Sequence, residues 1–269
     1  MNFDQFKFVG AKVDLTSLPT KFDGGKRDSD LKKLSSKLWK EIADLQEKLY
    51  AESNQSLLIV LQAMDAAGKD STIGKLTKSM NAQGCHIHSF KKPTKLELAH
   101  DFLWRIHACA PANGEIAIFN RSHYEDVLIV KVHGWADEAT IEKRYAHINN
   151  FESVIADSNT KVVKFMLNVS SDYQLSRFKR RLDNPGKHWK FNPADLDERK
   201  LWSDYMRAFE SAIEHCASDA APWFIVPAEN RDFRDFMIAS IVRDSLLAMN
   251  PDYPEPEFDE KRYTSDSIG

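Results

Sequence analysis

Cysteine is scarce and badly spaced for cross-linking. Cys85, Cys109 and Cys216 are odd in number, far apart and free of any C-x-x-C pattern. That excludes a disulfide framework or a zinc ribbon and points to a reducing compartment. An excess of one charge is also missing: the formal net charge is −3 over 269 residues. Nothing therefore draws the whole chain to nucleic acid, and any anion site must be local. No apolar run approaches the about 18 residues of a membrane-spanning helix, and residues 1–12 are too polar and acidic for a signal peptide. Linker-like stretches and internal repeats are absent as well, so one domain with short extensions is the simplest organisation. A soluble, cytoplasmic protein is expected. Core-forming residues are not lacking, since sixteen Phe and six Trp suffice for a sizeable interior.

Residues 57–72 organise the rest. The apolar run 57–61 reads as a buried strand, a small-residue loop follows, and a helix-compatible stretch opens at Gly68-Lys69. This is the layout of a phosphate-binding P-loop, in which backbone N–H groups at a helix N-terminus face an anion and a lysine adds charge. Ala66, Ala67, Gly68, Lys69, Asp70 and Ser71 are the expected phosphate cradle. The match to G-x-x-x-x-G-K-[ST] is imperfect: Ala63 replaces the first glycine, and Asp70 stands where Ser or Thr is usual. Asp65 lies inside a loop meant for polyanions, where a carboxylate repels phosphate unless a cation intervenes. Mg²⁺, with Mn²⁺ as the second choice, supplies such a bridge; an Asx turn shaping the loop is the structural alternative.

The remaining chain alternates helix and strand signals. Residues 1–30 carry turn signals and read as an extension. From Ser29, Leu31, Leu34, Leu38, Ile42, Leu45 and Leu49 recur at three- and four-residue spacing, an amphipathic helix for the core or for a second subunit. Strands are expected at 85–90, 114–119, 161–169 and 222–227, and helices at 96–109, 138–156 and 233–249; 251–269 reads as an extended tail. His86 and His88 share a strand face but have no third ligand at suitable spacing, so surface histidines are expected. Lys91 and Lys92 lie on a loop just after a strand, where open α/β sheets bind ligands. Arg105, on the next helix, faces either phosphate or solvent.

The strand beside the P-loop ends in Asn120-Arg121, where P-loop enzymes commonly place a metal-supporting carboxylate. Arg121 there can clamp a phosphoryl group, or pair with Glu125 or Asp126. The most basic stretch follows the 161–169 strand: Arg177, Lys179, Arg180, Arg181, Lys187, His188 and Lys190. It reads as a helical hairpin broken at Asn184-Pro185-Gly186, a lid for a polyanion over about 171–217. Trp189, Phe191, Trp202 and Tyr205 near it can stack bases, although their helical spacing favours core positions. Strand–helix alternation predicts an α/β fold: a three-layer, P-loop kinase-like sandwich with a five-stranded parallel sheet and a helical lid insertion.

These residues resemble the polyphosphate kinase 2 family. The likeness is carried by residues 61–70, 89–94, 100–105, 119–126 (Phe-Asn-Arg-Ser-His-Tyr-Glu-Asp), 189–191 and 221–228, in family order across nearly all of 30–250. The resemblance implies phosphoryl transfer between inorganic polyphosphate and nucleotides, ADP and also AMP, with guanine as a second base, in a homo-oligomer. It implies that Asp65 is the metal ligand and Lys69 the phosphate-binding lysine, that Arg121 sits at the transferred phosphate, and that Arg177, Arg181, Lys187 and Lys190 belong to the lid, Arg177 acting in catalysis with Asp65, Lys69 and Arg121. Asn120 stands where many members have Asp, so the second metal-supporting carboxylate is missing or comes from elsewhere. Arg105, Asn120, Tyr124 and Glu125 are the expected nucleotide side. Glu125 would accept hydrogen bonds from a base amino group or hold a cation, favouring AMP; alternatively it pairs with Arg121. An ATP-dependent nucleotide kinase and a non-catalytic polyphosphate- or nucleic-acid-binding module are the rival readings.

Overall fold

A computed structural model describes residues 1–260 and 262–267. Six strands, β1 (Lys7–Phe8), β2 (Ser56–Gln62), β3 (Cys85–Ser89), β4 (Ile116–Asn120), β5 (Thr160–Asn168) and β6 (Trp223–Pro227), form one sheet in the order β1-β6-β5-β2-β4-β3. β2 through β6 run parallel, as the alternating pattern predicts. The addition is β1, which pairs antiparallel with β6 through Lys7↔Phe224 and Phe8↔Trp223. Two residues are too few to show a period-two pattern, which is why the sequence reads this part only as an extension.

β2 is the central strand and is buried along its whole length. A strand covered on both faces reads as a continuous apolar run. Alternate residues serve opposite layers: Leu57, Ile59 and Leu61 enter one core, Leu58 and Val60 the other. The first core is covered by α1 (Asp28–Glu52), α2 (Lys69–Leu76) and the C-terminal helix. α1 buries Leu31, Leu38, Ile42 and Leu49 there, so its apolar stripe lies on its own core.

Two one-turn helices, α3 (Lys95–Leu98) and α4 (Trp104–His107), replace the single helix expected over 96–109. Thr94 and Glu97 form a capping box that starts α3. Between the two, the Asp101 carboxylate accepts the N–H of Leu103 at 2.9 Å, a local turn that competes with helix. After α5 (Ile129–Val132), α6 (Glu138–Asp157) covers the second core, its N-terminus capped by Asp137.

The basic hairpin is α7 (Ser171–Leu182), a 3-10 stretch (Pro185–Lys190) and α8 (Ala194–Lys200). α9 (Trp202–Cys216) buries Tyr205, Met206, Ala208, Phe209, Ala212, Ile213 and Cys216. Its apolar face makes it a core helix beside α6, so the hairpin ends near residue 200 and not at 217. α10 (Arg231–Met249) closes the fold along α1. In the tail, 251–256 has no regular structure and Ser265–Ser267 forms a 3-10 turn; positions 261, 268 and 269 of the expected extended segment lie outside the described residues.

Candidate active site

The parallel register sets the site. Leu61 of β2 lies opposite Asn120 of β4, so the loop after β2 and the turn after β4 open side by side at the carboxyl edge of the sheet. Between β2 and α2 the chain turns through two left-handed residues, Ala66 at φ 64° and Gly68 at φ 119°. A Cβ at Gly68 would also run into the Arg234 guanidinium, which would have to move. The first N–H groups of α2 have no partner within the helix and open on the same cleft.

Lys69 is buried, its ammonium donating to the carbonyl oxygens of Ala63 at 2.8 Å and Met64 at 3.3 Å. Burial, aided by Arg121, pushes its pKa below the usual lysine value, against the pull of Asp65 and Glu125. Burial works to raise the Asp65 carboxyl, but Lys69 and Arg121 overcome it and hold Asp65 below the ordinary carboxylate range. Arg121 sits in the left-handed region at φ 62°, its N–H donating to Leu61 O at 3.1 Å. Its guanidinium donates to Asp65 Oδ1 at 2.6 Å and to Glu125 Oε2 at 3.3 Å.

Two clefts meet on Asp65, Lys69 and Asp70. One, of about 280 Å³, is lined by the 65–71 loop with Tyr173, Arg177, Arg181, Lys187, Lys190, Arg231 and Arg234. Seven cations, Lys69 among them, face the carboxylates of Asp65 and Asp70 there. The other, of about 370 Å³, is lined by Asp65, Lys69, Asp70, Ser89, Phe90, Lys91, Lys92, Asn120 and Arg121. Lys190 reaches Asp70 at 3.7 Å, bringing the hairpin down onto the start of α2. Lys187 has its pKa lowered mainly by Arg180, the mark of cations crowded against one another.

The structure thus brings Asp65, Lys69, Arg121, Arg177, Arg181, Lys187, Lys190, Lys91, Lys92 and Asn120 together. Asp70 and Ser71 line the cleft, but their side chains serve protein partners. The Asp70 carboxylate accepts from the Asn120 amide at 3.1 Å, and the Ser71 hydroxyl donates to Gly68 O at 2.8 Å and accepts from Arg234 at 3.2 Å. Two expected nucleotide contacts are displaced. Arg105 is buried behind the Lys91–Lys92 loop, donating to Lys91 O at 2.9 Å and lying over the Phe90 ring, so it supports the loop from below. Tyr124 is fully buried, and its hydroxyl bonds Glu152 and Lys164 at 2.8 Å each. Glu125 lies just behind the two clefts, as the partner of Arg121, in a small recess with Leu128, Tyr205 and Phe209.

Sequence reasoning missed Arg231, Arg234 and Tyr173. A signal existed: Asn230 caps α10 at the end of β6, and a strand end in such a sheet is a ligand position. Arg234 is almost fully buried and fixed by Asp235 at 2.8 Å.

As a metal site, the donor set fits an ion carried in on phosphate. Among the described residues no group of three His, Cys, Asp or Glu side chains could cage one. Mg²⁺ needs only one or two carboxylates beside phosphate oxygens. Asp65, kept ionised, supplies one, and the Asn120 side chain carries a neutral oxygen beside it.

Residues 25–254 match the family profile described as Polyphosphate kinase 2. Among curated proteins, the AMP/ADP-polyphosphate phosphotransferase of Meiothermus ruber is 44% identical over 236 residues, 88% of each chain. The ADP-polyphosphate phosphotransferase of Rhodopseudomonas palustris is 40% identical over 259 residues, 91% of this chain and 90% of its own. The crystal structure of polyphosphate kinase 2 from Arthrobacter aurescens TC1 superposes with a TM-score of 0.92 at 42% identity, covering 94% of this chain and 92% of that one. With the profile spanning most of its length and relatives this similar from end to end, the chain belongs to the polyphosphate kinase 2 family.

Proposed function

We propose that this protein is a phosphotransferase that moves the terminal phosphoryl group of inorganic polyphosphate onto ADP and AMP, reversibly. The observation that carries the reading is the meeting of the two clefts at Asp65, Lys69 and Asp70, with Arg121 of the second cleft paired to the shared Asp65. The cation-rich cleft under the hairpin suits the longer polyanion, which engages many charges at once. The cleft between Lys91–Lys92 and Asn120–Arg121 suits the phosphate end of a nucleotide. A donor and an acceptor entering from the two sides approach each other in line at the shared residues.

Little covalent work falls to the protein in such a transfer, so positioning and charge neutralisation supply most of the acceleration. Arg121 and Lys69 stabilise charge on the transferred group, and Arg177 and Arg234 hold the donor chain. Mg²⁺ (or Mn²⁺) held by Asp65 and phosphate oxygens would add further neutralisation. The attacking atom is already an ionised phosphate oxygen, so no general base is needed. A cytoplasmic setting, with its reducing conditions, suits three free cysteines.

The test is to incubate AMP, ADP or GDP with long-chain polyphosphate and Mg²⁺ and to follow the higher phosphates by chromatography. ADP formed from AMP, and ATP from ADP, are expected. Equal transfer from ATP with polyphosphate omitted would identify an ordinary nucleotide kinase, and binding without turnover a non-catalytic module.

A further inference from the structure

Lys164 on β5 and Glu152 on α6 form an ion pair sealed in the second core, fully buried or nearly so. A pair of this kind adds little stability over apolar residues of similar size, so its presence calls for another reason. Its hydrogen bonds supply one. Lys164 Nζ donates to Glu152 Oε2 at 2.5 Å, to Cys216 O at 2.6 Å and to the Tyr124 hydroxyl at 2.8 Å. The hydroxyl in turn donates to Glu152 Oε1 at 2.8 Å, and His123 reaches the same oxygen at 3.2 Å. The Tyr124 ring stands edge-on to Trp223 with centroids 4.8 Å apart.

The network anchors one short turn, His123–Asp126, which begins two residues after Arg121. Ser122 Oγ accepts the N–H of Tyr124 at 3.2 Å. Gln62, at the buried end of β2, donates to Glu125 Oε1 at 3.1 Å and accepts from Ser122 Oγ at 3.1 Å in the amide orientation that satisfies both of its ends. Arg121 itself is held in the left-handed region, a conformation that persists only where the surroundings impose it. Glu125, which grips the Arg121 guanidinium, is the residue after Tyr124.

We propose that Tyr124, tethered by Lys164 and Glu152, is a positioning residue: it fixes the turn that holds Glu125 against the Arg121 guanidinium and so aims Arg121 at the transferred phosphoryl group. This rests on the reading that Arg121 meets that group. The hydroxyl is buried in the second core, away from both clefts, so its removal loosens the aim of Arg121 and leaves the substrate contacts in place.

Tyr124→Phe keeps the ring and removes the tether. With ADP and polyphosphate, kcat is expected to fall about tenfold to a hundredfold while both KM values stay within about twofold. The variant is then made in an Arg121→Lys background, where the further loss should nearly vanish, because the two changes act through one group. An unchanged kcat, an equal loss in both backgrounds, or a loss that only tracks a lowered melting temperature would each overturn the proposal. Should Tyr124→Phe fail to fold, Glu152→Gln combined with Lys164→Met, which removes both charges and strands neither, decides by the same cycle. Absence of transfer by the wild-type protein would instead remove the underlying phosphotransferase reading, and this proposal with it.

Discussion

Lys69 is held by two loop carbonyls in a site where burial already disfavours its charge. An arriving phosphate offers that ammonium a charged partner in place of neutral ones, so the residue is poised for an anion. Lys69→Ala should lower turnover by about a hundredfold or more, the usual scale for losing a donor aimed at developing charge. Its melting temperature should stay close to wild type, because a buried and partly destabilised cation is what has been removed. Near-wild-type turnover would take Lys69 out of the chemistry. Glu125 shows what sequence alone leaves open. Its position after the strand end suits either a base-binding carboxylate or a partner for Arg121, and the 3.3 Å contact supports the partner. Glu125→Ala should therefore depress the AMP and ADP steps together, each by about tenfold through a looser Arg121. Separate rate measurements on the two acceptors check this, and a loss confined to AMP would restore the base-binding role. Side-chain direction was the illegible part: within the His123–Asp126 turn no periodicity tells that Tyr124 points into the core while Glu125 turns to the Arg121 guanidinium.

Among elements, the five parallel strands and the long helices were legible because burial on both faces writes continuous apolar runs, and one-sided burial writes three- and four-residue spacing. β1 was not, being two residues long, and neither was the break between α3 and α4, which depends on the Asp101 side chain. The P-loop and the hairpin cations could be read from local patterns. Arg231 and Arg234 escaped because they join the site only through the fold, more than 150 residues after the loop they contact. The hairpin offers its own test. It is tied to the body by Glu198, which meets His133 at 3.0 Å, and by Lys190, while Lys187 stands half-buried among like charges. Lys187→Ala combined with Lys190→Ala should weaken polyphosphate use more than nucleotide binding. Raised salt should do the same, since exposed charges are screened within about 10 Å at 0.1 M. Equal effects on both substrates, or a KM for polyphosphate insensitive to salt, would make the hairpin an ordinary solvated surface.

For the whole molecule, the polar groups sealed beneath the site tie stability to pH. Burial pushes the pKa of His123 below the ordinary 6.5, although Glu152 pulls the other way. Burial also works to raise Glu152, but Lys164 and His123 outweigh it and hold the carboxyl below 4.5. For both groups the folded-state value lies under the unfolded one, so between the two values the unfolded chain binds more protons. Stability therefore rises with pH across each interval and is lost as acid is added. The loss assigned to His123 begins just below about pH 6.5, and that of Glu152 below about 4.5. Asp65, lowered as well, adds to the acid limb. The melting temperature should accordingly decline between pH 7 and pH 5, before most carboxylates titrate. His88 shifts in the same sense through partial burial, so His123→Asn should shrink this upper limb without abolishing it. A melting temperature level from pH 7 to 5, or a decline of undiminished size in the variant, would mean that His123 accepts its proton without strain. The turn below Arg121 would then not share the acid sensitivity of the core that holds it.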